Sequence, residues 1–71
     1  MLDYRKVVGK NVRELREGLD LSQEELGFRA NLDRTYVSGV ERGVRNPTVL
    51  VVSRLAEALN VEPFSLFIKN K

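Results

Sequence analysis

The chain has 71 residues, with 12 Lys and Arg against 10 Asp and Glu, a net charge of +2, and neither Cys nor His. A length of this order holds one domain, residues 1–71, whose core is marginal, because only about 60% of the unfolded surface is buried. The missing Cys and His exclude disulfides and nearly all zinc or transition-metal sites, so a second subunit is the staple left unless helix packing alone suffices.

The apolar period is 3.6 throughout, with no convincing alternation, so the expectation is an all-α, compact five-helix domain. The first helix covers roughly Asp3 to Glu17, with Tyr4, Val8, Val12 and Leu15 as its apolar stripe. Gly18 stands where a left-handed cap would end it. The second helix has the clearest start signal: Ser22 as N-cap and Glu25 three residues on make a capping box, flanked by Leu21 and Leu26 as a hydrophobic staple. It runs to about Ala30, and Asn31 tolerates the left-handed conformation of a turn. The third helix starts on Asp33 and runs to about Arg42, turns Val37 and Val40 inward, and stops at Gly43. The fourth spans Thr48 to Leu59, with Val49, Val52, Leu55, Ala56 and Leu59 on its core face, Val51 and Ala58 beside it and Leu50 on the far side. Pro63 opens a fifth, short helix from Phe64 to about Ile68.

The second and third helices are joined so tightly that they must cross steeply. Gly27 lies mid-helix, where glycine costs about 1 kcal/mol relative to alanine, and close approach of the next helix is a reason to accept that cost. Small residue, turn residue, then two inward valines is the pattern of a DNA-binding helix-turn-helix. With Val37 and Val40 inward, Arg34, Thr35, Tyr36, Ser38 and Gly39 face outward to differing degrees on the third helix, which fits a major groove that admits one helix. Arg34 can donate two bonds to guanine. Thr35 can offer its hydroxyl to a base or its methyl to thymine. Tyr36 can bond a phosphate or lay its ring against a sugar or base, and Ser38 and Gly39 are small enough to let the helix sit deep.

Ser22 and Gln23, at the start of the second helix, are expected on one phosphate strand. Arg42, Arg45 and Asn46, just past the third, are expected on the other. Between Arg29 and Arg54 five arginines face Asp33 and Glu41 alone, a local charge of +3. Arg16 and Glu41 are expected to pair and tie the first helix to the third, although Arg16 could also reach a phosphate.

From about Val8 to Phe67 the chain resembles the Cro/repressor-type (Xre) helix-turn-helix family, on "LSQEELGFRANLDRTYVSGVERGVRNPTV" and the following "LAEALNV". Within that family "NLDRTYVSGVERGVRNP" is most similar to restriction–modification controller proteins. The resemblance implies a lambda-repressor-like fold and a dimeric regulator of double-stranded DNA, with RNA polymerase as a candidate partner. It carries specific DNA contacts onto Arg34, Thr35 and Tyr36. A dimer surface is expected at Val51, Ala58, Phe64, Phe67 and Ile68. Other phage or chromosomal repressors, and a protein-interaction module using the same fold, are the rival readings.

An enzyme is not expected, since there is no His or Cys and no glycine-rich phosphate loop. No cofactor or metal is expected. "MLDYRK" opens with mixed charges and the longest apolar run is Val49 to Val52, so a soluble, cytoplasmic protein without membrane association is expected.

Overall fold

The computed structural model describes residues 2–69 and contains α1 (Tyr4–Gly18), α2 (Gln23–Ala30), α3 (Arg34–Glu41), α4 (Val49–Ala58) and a short 3-10 helix, Pro63–Phe67. There is no strand among the described residues, and no described helix is long and apolar enough to cross a membrane. The expected fifth α-helix is thus a single tighter turn. Ile68 is already extended at φ −84° and ψ 122°, which leaves too short a run after Pro63 for an i→i+4 ladder.

Every α-helix starts on a side-chain cap. Asp3, Ser22, Asp33 and Thr48 accept hydrogen bonds from the backbone N–H groups of Arg5, Glu25, Thr35 and Val51. The capping box at α2 is complete, since the Glu25 carboxylate also accepts from the Ser22 N–H at 2.8 Å. Those bonds from Ser22 hold the Glu25 carboxyl below its usual range.

The helix ends share one device as well. Asp20, Asn31, Gly43 and Asn60 take the left-handed conformation, with φ of 58°, 58°, 77° and 61°. The N–H of each following residue reaches back five residues, the 6→1 bond of a Schellman closure: Leu21 to Arg16, Leu32 to Gly27, Val44 to Gly39 and Val61 to Ala56. Gly18 is therefore not the cap of α1. It is the last helical residue and the reversal falls at Asp20, which lets Leu21 enter the interior at 8% exposure, whereas Leu19 stays 44% exposed.

The core joins Val8 and Val12 of α1, Leu26 and Ala30 of α2, Val37 and Val40 of α3, and Val52, Leu55, Ala56 and Leu59 at α4. Leu66, rather than Phe64 or Phe67, closes it. Asn11, buried on α1, donates its side-chain amide to the carbonyls of Leu66 (2.9 Å) and Ile68 (2.8 Å) and so pins the Leu66–Ile68 segment to the first helix. Two expected core residues lie outside. Val49 is 87% exposed, because it is the first residue of α4, a turn before the layer that Val52 fills. Tyr4 is also exposed and leans on Phe67, ring centroids 6.4 Å apart.

Two glycines set the helix spacing. A Cβ on Gly27 would lie 2.6 Å from the Leu32 carbonyl oxygen and 3.5 Å from Val37 Cγ2, so the turn into α3 folds directly over α2. A Cβ on Gly9 would lie 2.3 Å from the Val40 oxygen and 2.8 Å from the Glu41 oxygen, so α1 rides on the last carbonyls of α3. Gly9→Ala should therefore lower unfolding stability by about 1–3 kcal/mol, the usual cost of forcing apart packed backbone. Gly18→Ala, where nothing lies within 4 Å, should leave stability unchanged or raise it. Urea unfolding of the two variants checks this, and equal midpoints for both would contradict the close crossing of α1 and α3.

Candidate nucleic-acid interface

The approach of α2 to α3 is set locally by Asn31, Leu32 and Asp33. Asn31 reverses the chain, Leu32 packs half-buried against the core, and Asp33 caps α3. The Asp33 carboxylate accepts from the Thr35 N–H at 2.7 Å and from the Thr35 hydroxyl. Those bonds, the hydroxyl's first, hold the carboxyl below its usual range, so the start of α3 is ordered at neutral pH.

The far end of α3 is fixed by a buried carboxylate. The Glu41 side chain is 3% exposed and meets the Arg16 guanidinium, itself 12% exposed, through two bonds: Nε to Oε2 at 2.7 Å and Nη2 to Oε1 at 3.0 Å. Arg16 Nη1 also donates to the Leu21 carbonyl at 2.8 Å, and Gln23 Nε2 donates to Glu41 Oε1 at 3.0 Å. The end of α1, the start of α2 and the end of α3 therefore converge on one acid. Hydrogen bonding to Glu41 raises the Arg16 guanidinium further above its usual value, and the pair stays charged on that side. One of the two Gln23 amide hydrogens is committed to this network, which qualifies its expected role as a phosphate donor.

The residues expected to read bases divide into three situations. Arg34 and Thr35 are exposed on the first turn of α3, and Tyr36 and Ser38 are half-buried. Gly39 is buried and does not face outward as the helical period implied. The loop after α3 folds back over it: the N–H groups of Val44 (3.0 Å) and Arg45 (3.3 Å) both donate to the Gly39 carbonyl. The phosphate candidates surround this face. Ser22 is exposed, although its hydroxyl already accepts from the Glu25 N–H at 2.9 Å. Arg42 is exposed and donates to Ser38 Oγ at 3.3 Å. Arg45 is exposed with its guanidinium carbon 5.5 Å from the centre of the Tyr36 ring, a cation–π distance. Asn46 is exposed and lines an open groove with Pro47, Tyr4 and Phe67.

Lys6 carries no local signal that marks it as part of this face. A Cβ on Gly43 would lie 3.1 Å from Lys6 Cγ, so the lysine stem lies against the Arg42–Arg45 loop from the side of α1. Only the tertiary approach of α1 reveals this. Of the expected dimer residues, Phe64, Phe67 and Ile68 are exposed, whereas Val51 and Ala58 are half-buried against the core.

The Helix-turn-helix family model matches residues 12–66. An HTH-type transcriptional regulator of Sinorhizobium fredii is 45% identical over 65 residues, covering 92% of this chain and 84% of the relative. Control protein C.BamHI of Bacillus amyloliquefaciens is 40% identical over 65 residues, covering 90% of this chain and 80% of the relative. The crystal structure of the restriction-modification controller protein C.AhdI from Aeromonas hydrophila superposes with a TM-score of 0.86 at 49% identity, covering 89% of this chain and 96% of that one.

Removing one partner of the Arg16–Glu41 pair strands the other in the interior. Arg16→Met should cost about 3–5 kcal/mol in chemical denaturation, and adding Glu41→Leu to that variant should restore much of the loss. A loss below about 1 kcal/mol for Arg16→Met, the range of a solvent-exposed pair, would contradict the buried geometry.

Proposed function

This chain belongs to the helix-turn-helix family and is a DNA-binding transcriptional regulator, not an enzyme, and we propose that it acts in the cytoplasm as a restriction–modification controller, a homodimer on a two-fold operator. The controller assignment draws on the likeness to C.BamHI and C.AhdI. What carries the proposal is the exposure of Arg34 and Thr35 at the open end of a helix whose other end is clamped by Arg16 and Glu41. A rigid helix with polar side chains at its free N-terminal turn is the shape a major groove accepts.

In this reading α3 enters the groove with Arg34 donating two bonds to guanine O6 and N7. The Thr35 hydroxyl hydrogen is held by Asp33, so Thr35 reads a base through its oxygen lone pairs or meets thymine through its methyl. Tyr36 and Ser38 touch sugar, phosphate or base at the flank. Ser22 and Gln23 approach one phosphate strand, and Arg42, Arg45 and Asn46 the other. Each neutralised phosphate lowers the log of the affinity by about 0.9 per decade of salt.

One recognition helix makes too few contacts for a specific site. Two related by a two-fold axis reach successive major grooves about 34 Å apart. The dimer surface is assigned to Phe64, Phe67 and Ile68, with Val51 and Ala58 at its inner edge. Where the operator abuts a promoter, RNA polymerase is the further partner.

Arg34→Ala should cost about 1–3 kcal/mol concentrated at one base-pair position of a duplex selected from a random pool, whereas Arg42→Ala should weaken all sequences alike and reduce the salt slope by about 0.9. A uniform loss with Arg34→Ala would reduce Arg34 to a phosphate contact. Phe64 is 65% exposed, so Phe64→Asp should leave the helical circular-dichroism signal intact and shift the sedimentation profile at micromolar concentration from dimer to monomer. A dimer that persists rejects that surface.

A further inference from the structure

Gly39 has no backbone reason to be glycine. It lies inside α3 and its φ is not among the positive values, which fall at Asp20, Asn31, Gly43 and Asn60. In that setting alanine is the better helix former. The three atoms nearest the space a side chain would need all belong to one arginine. A Cβ on Gly39 would lie 2.6 Å from Arg45 Cγ, 3.3 Å from Nε and 3.5 Å from Cδ. The two backbone bonds from Val44 and Arg45 to the Gly39 carbonyl hold the loop at this spot. Tyr36 stands three residues before Gly39, one turn away on the same side of α3, and its ring receives the guanidinium at 5.5 Å.

We propose that Gly39 is a positioning residue for DNA recognition: the missing side chain makes a seat in which Arg45 lies across α3 against Tyr36, ordered beside the reading face before DNA arrives. The inference rests on the assignment of α3 to the major groove. Its physical content is preorganisation. A free arginine side chain loses much rotamer entropy when it is fixed on DNA, and a side chain already fixed loses less. The glycine floor and the tyrosine wall do that fixing in the free protein. Gly39 itself touches no base.

A merely structural glycine and a positioning glycine make opposite predictions for Gly39→Ala. The clashing atoms belong to a side chain that can swing into solvent, so the variant should melt at the wild-type temperature or above. Its affinity for a duplex selected from a random pool by the wild-type chain should nevertheless fall, by roughly 5- to 10-fold, the size of one lost preordered cation contact. Because Gly39 acts through Arg45, adding Gly39→Ala to Arg45→Ala should cause no further loss. Nuclear magnetic relaxation of the Arg45 Nε–H group in the free protein should show an ordered side chain in the wild type and a mobile one in Gly39→Ala and in Tyr36→Leu.

Unchanged affinity in Gly39→Ala, or a loss that adds fully to that of Arg45→Ala, would overturn the proposal while leaving the DNA-binding assignment of α3 standing. A mobile Arg45 in the free wild-type protein would overturn it without any variant. A wild-type chain that selects no duplex would remove the groove assignment and this inference together.

Discussion

The carboxylate of Glu41 is the point on which the molecule turns. It lies almost out of solvent and is bonded by Arg16 from the end of α1 and by Gln23 from the start of α2. A buried acid is costly unless its oxygens are satisfied, and here donors from two other helices satisfy them. The helix crossing is thereby specified as well as stabilised. The three elements must arrive with donors in register, or a charge is left alone in the interior. Gly9 adds a steric condition, because α1 sits so close to the Val40 and Glu41 carbonyls that no side chain fits between them.

Function follows from which side of α3 this constraint uses. Val37, Val40 and Glu41 face inward and are fully engaged, so the helix cannot roll. Asp33 orders its first turn through Thr35. What is left over is the polar first turn, with Arg34 and Thr35 in solvent, and the Arg42–Asn46 loop beside it. Inner residues hold the helix at a fixed angle, and outer residues are free to meet a partner. The division suits a recognition element, where misplacement by even an ångström forfeits directional hydrogen bonds. The repeated helix closures at Asp20, Asn31, Gly43 and Asn60 serve the same end, since each turns the chain sharply while returning an N–H to a carbonyl of the last helical turn.

Signals local to the chain were legible in the sequence. The Ser22–Glu25 box, the Asp33 cap, the Asn31 turn and the inward pair Val37 and Val40 depend on neighbours within a turn or two, and each lies where the residues imply. The Arg16–Glu41 pair was legible as well, from complementary charges at two helix ends. Features decided by distant segments were not. Gly39 reads as outward from the helical period and is buried only because the following loop returns across it. Val49 reads as core by spacing, yet the core ends one turn later. Gly18 looks like a helix cap by residue type, but the site of reversal was decided by which leucine could be buried. The last segment reads as a helix from Pro63 onward, and its tightness came from how little chain remains before Ile68 extends.

On the proposed function, this buried clamp presents the first turn of α3 and its flanking loop, as one rigid surface, to a DNA groove. A titration of the isotopically labelled protein with a duplex it selects from a random pool, followed by backbone amide resonances, tests it most directly. Shifts concentrated at residues 22–23, 34–36 and 42–46, with Arg16, Val37 and Val40 nearly unmoved, are what the account requires. Shifts centred on Phe28 or on the Phe64–Ile68 surface, with α3 silent, would contradict it.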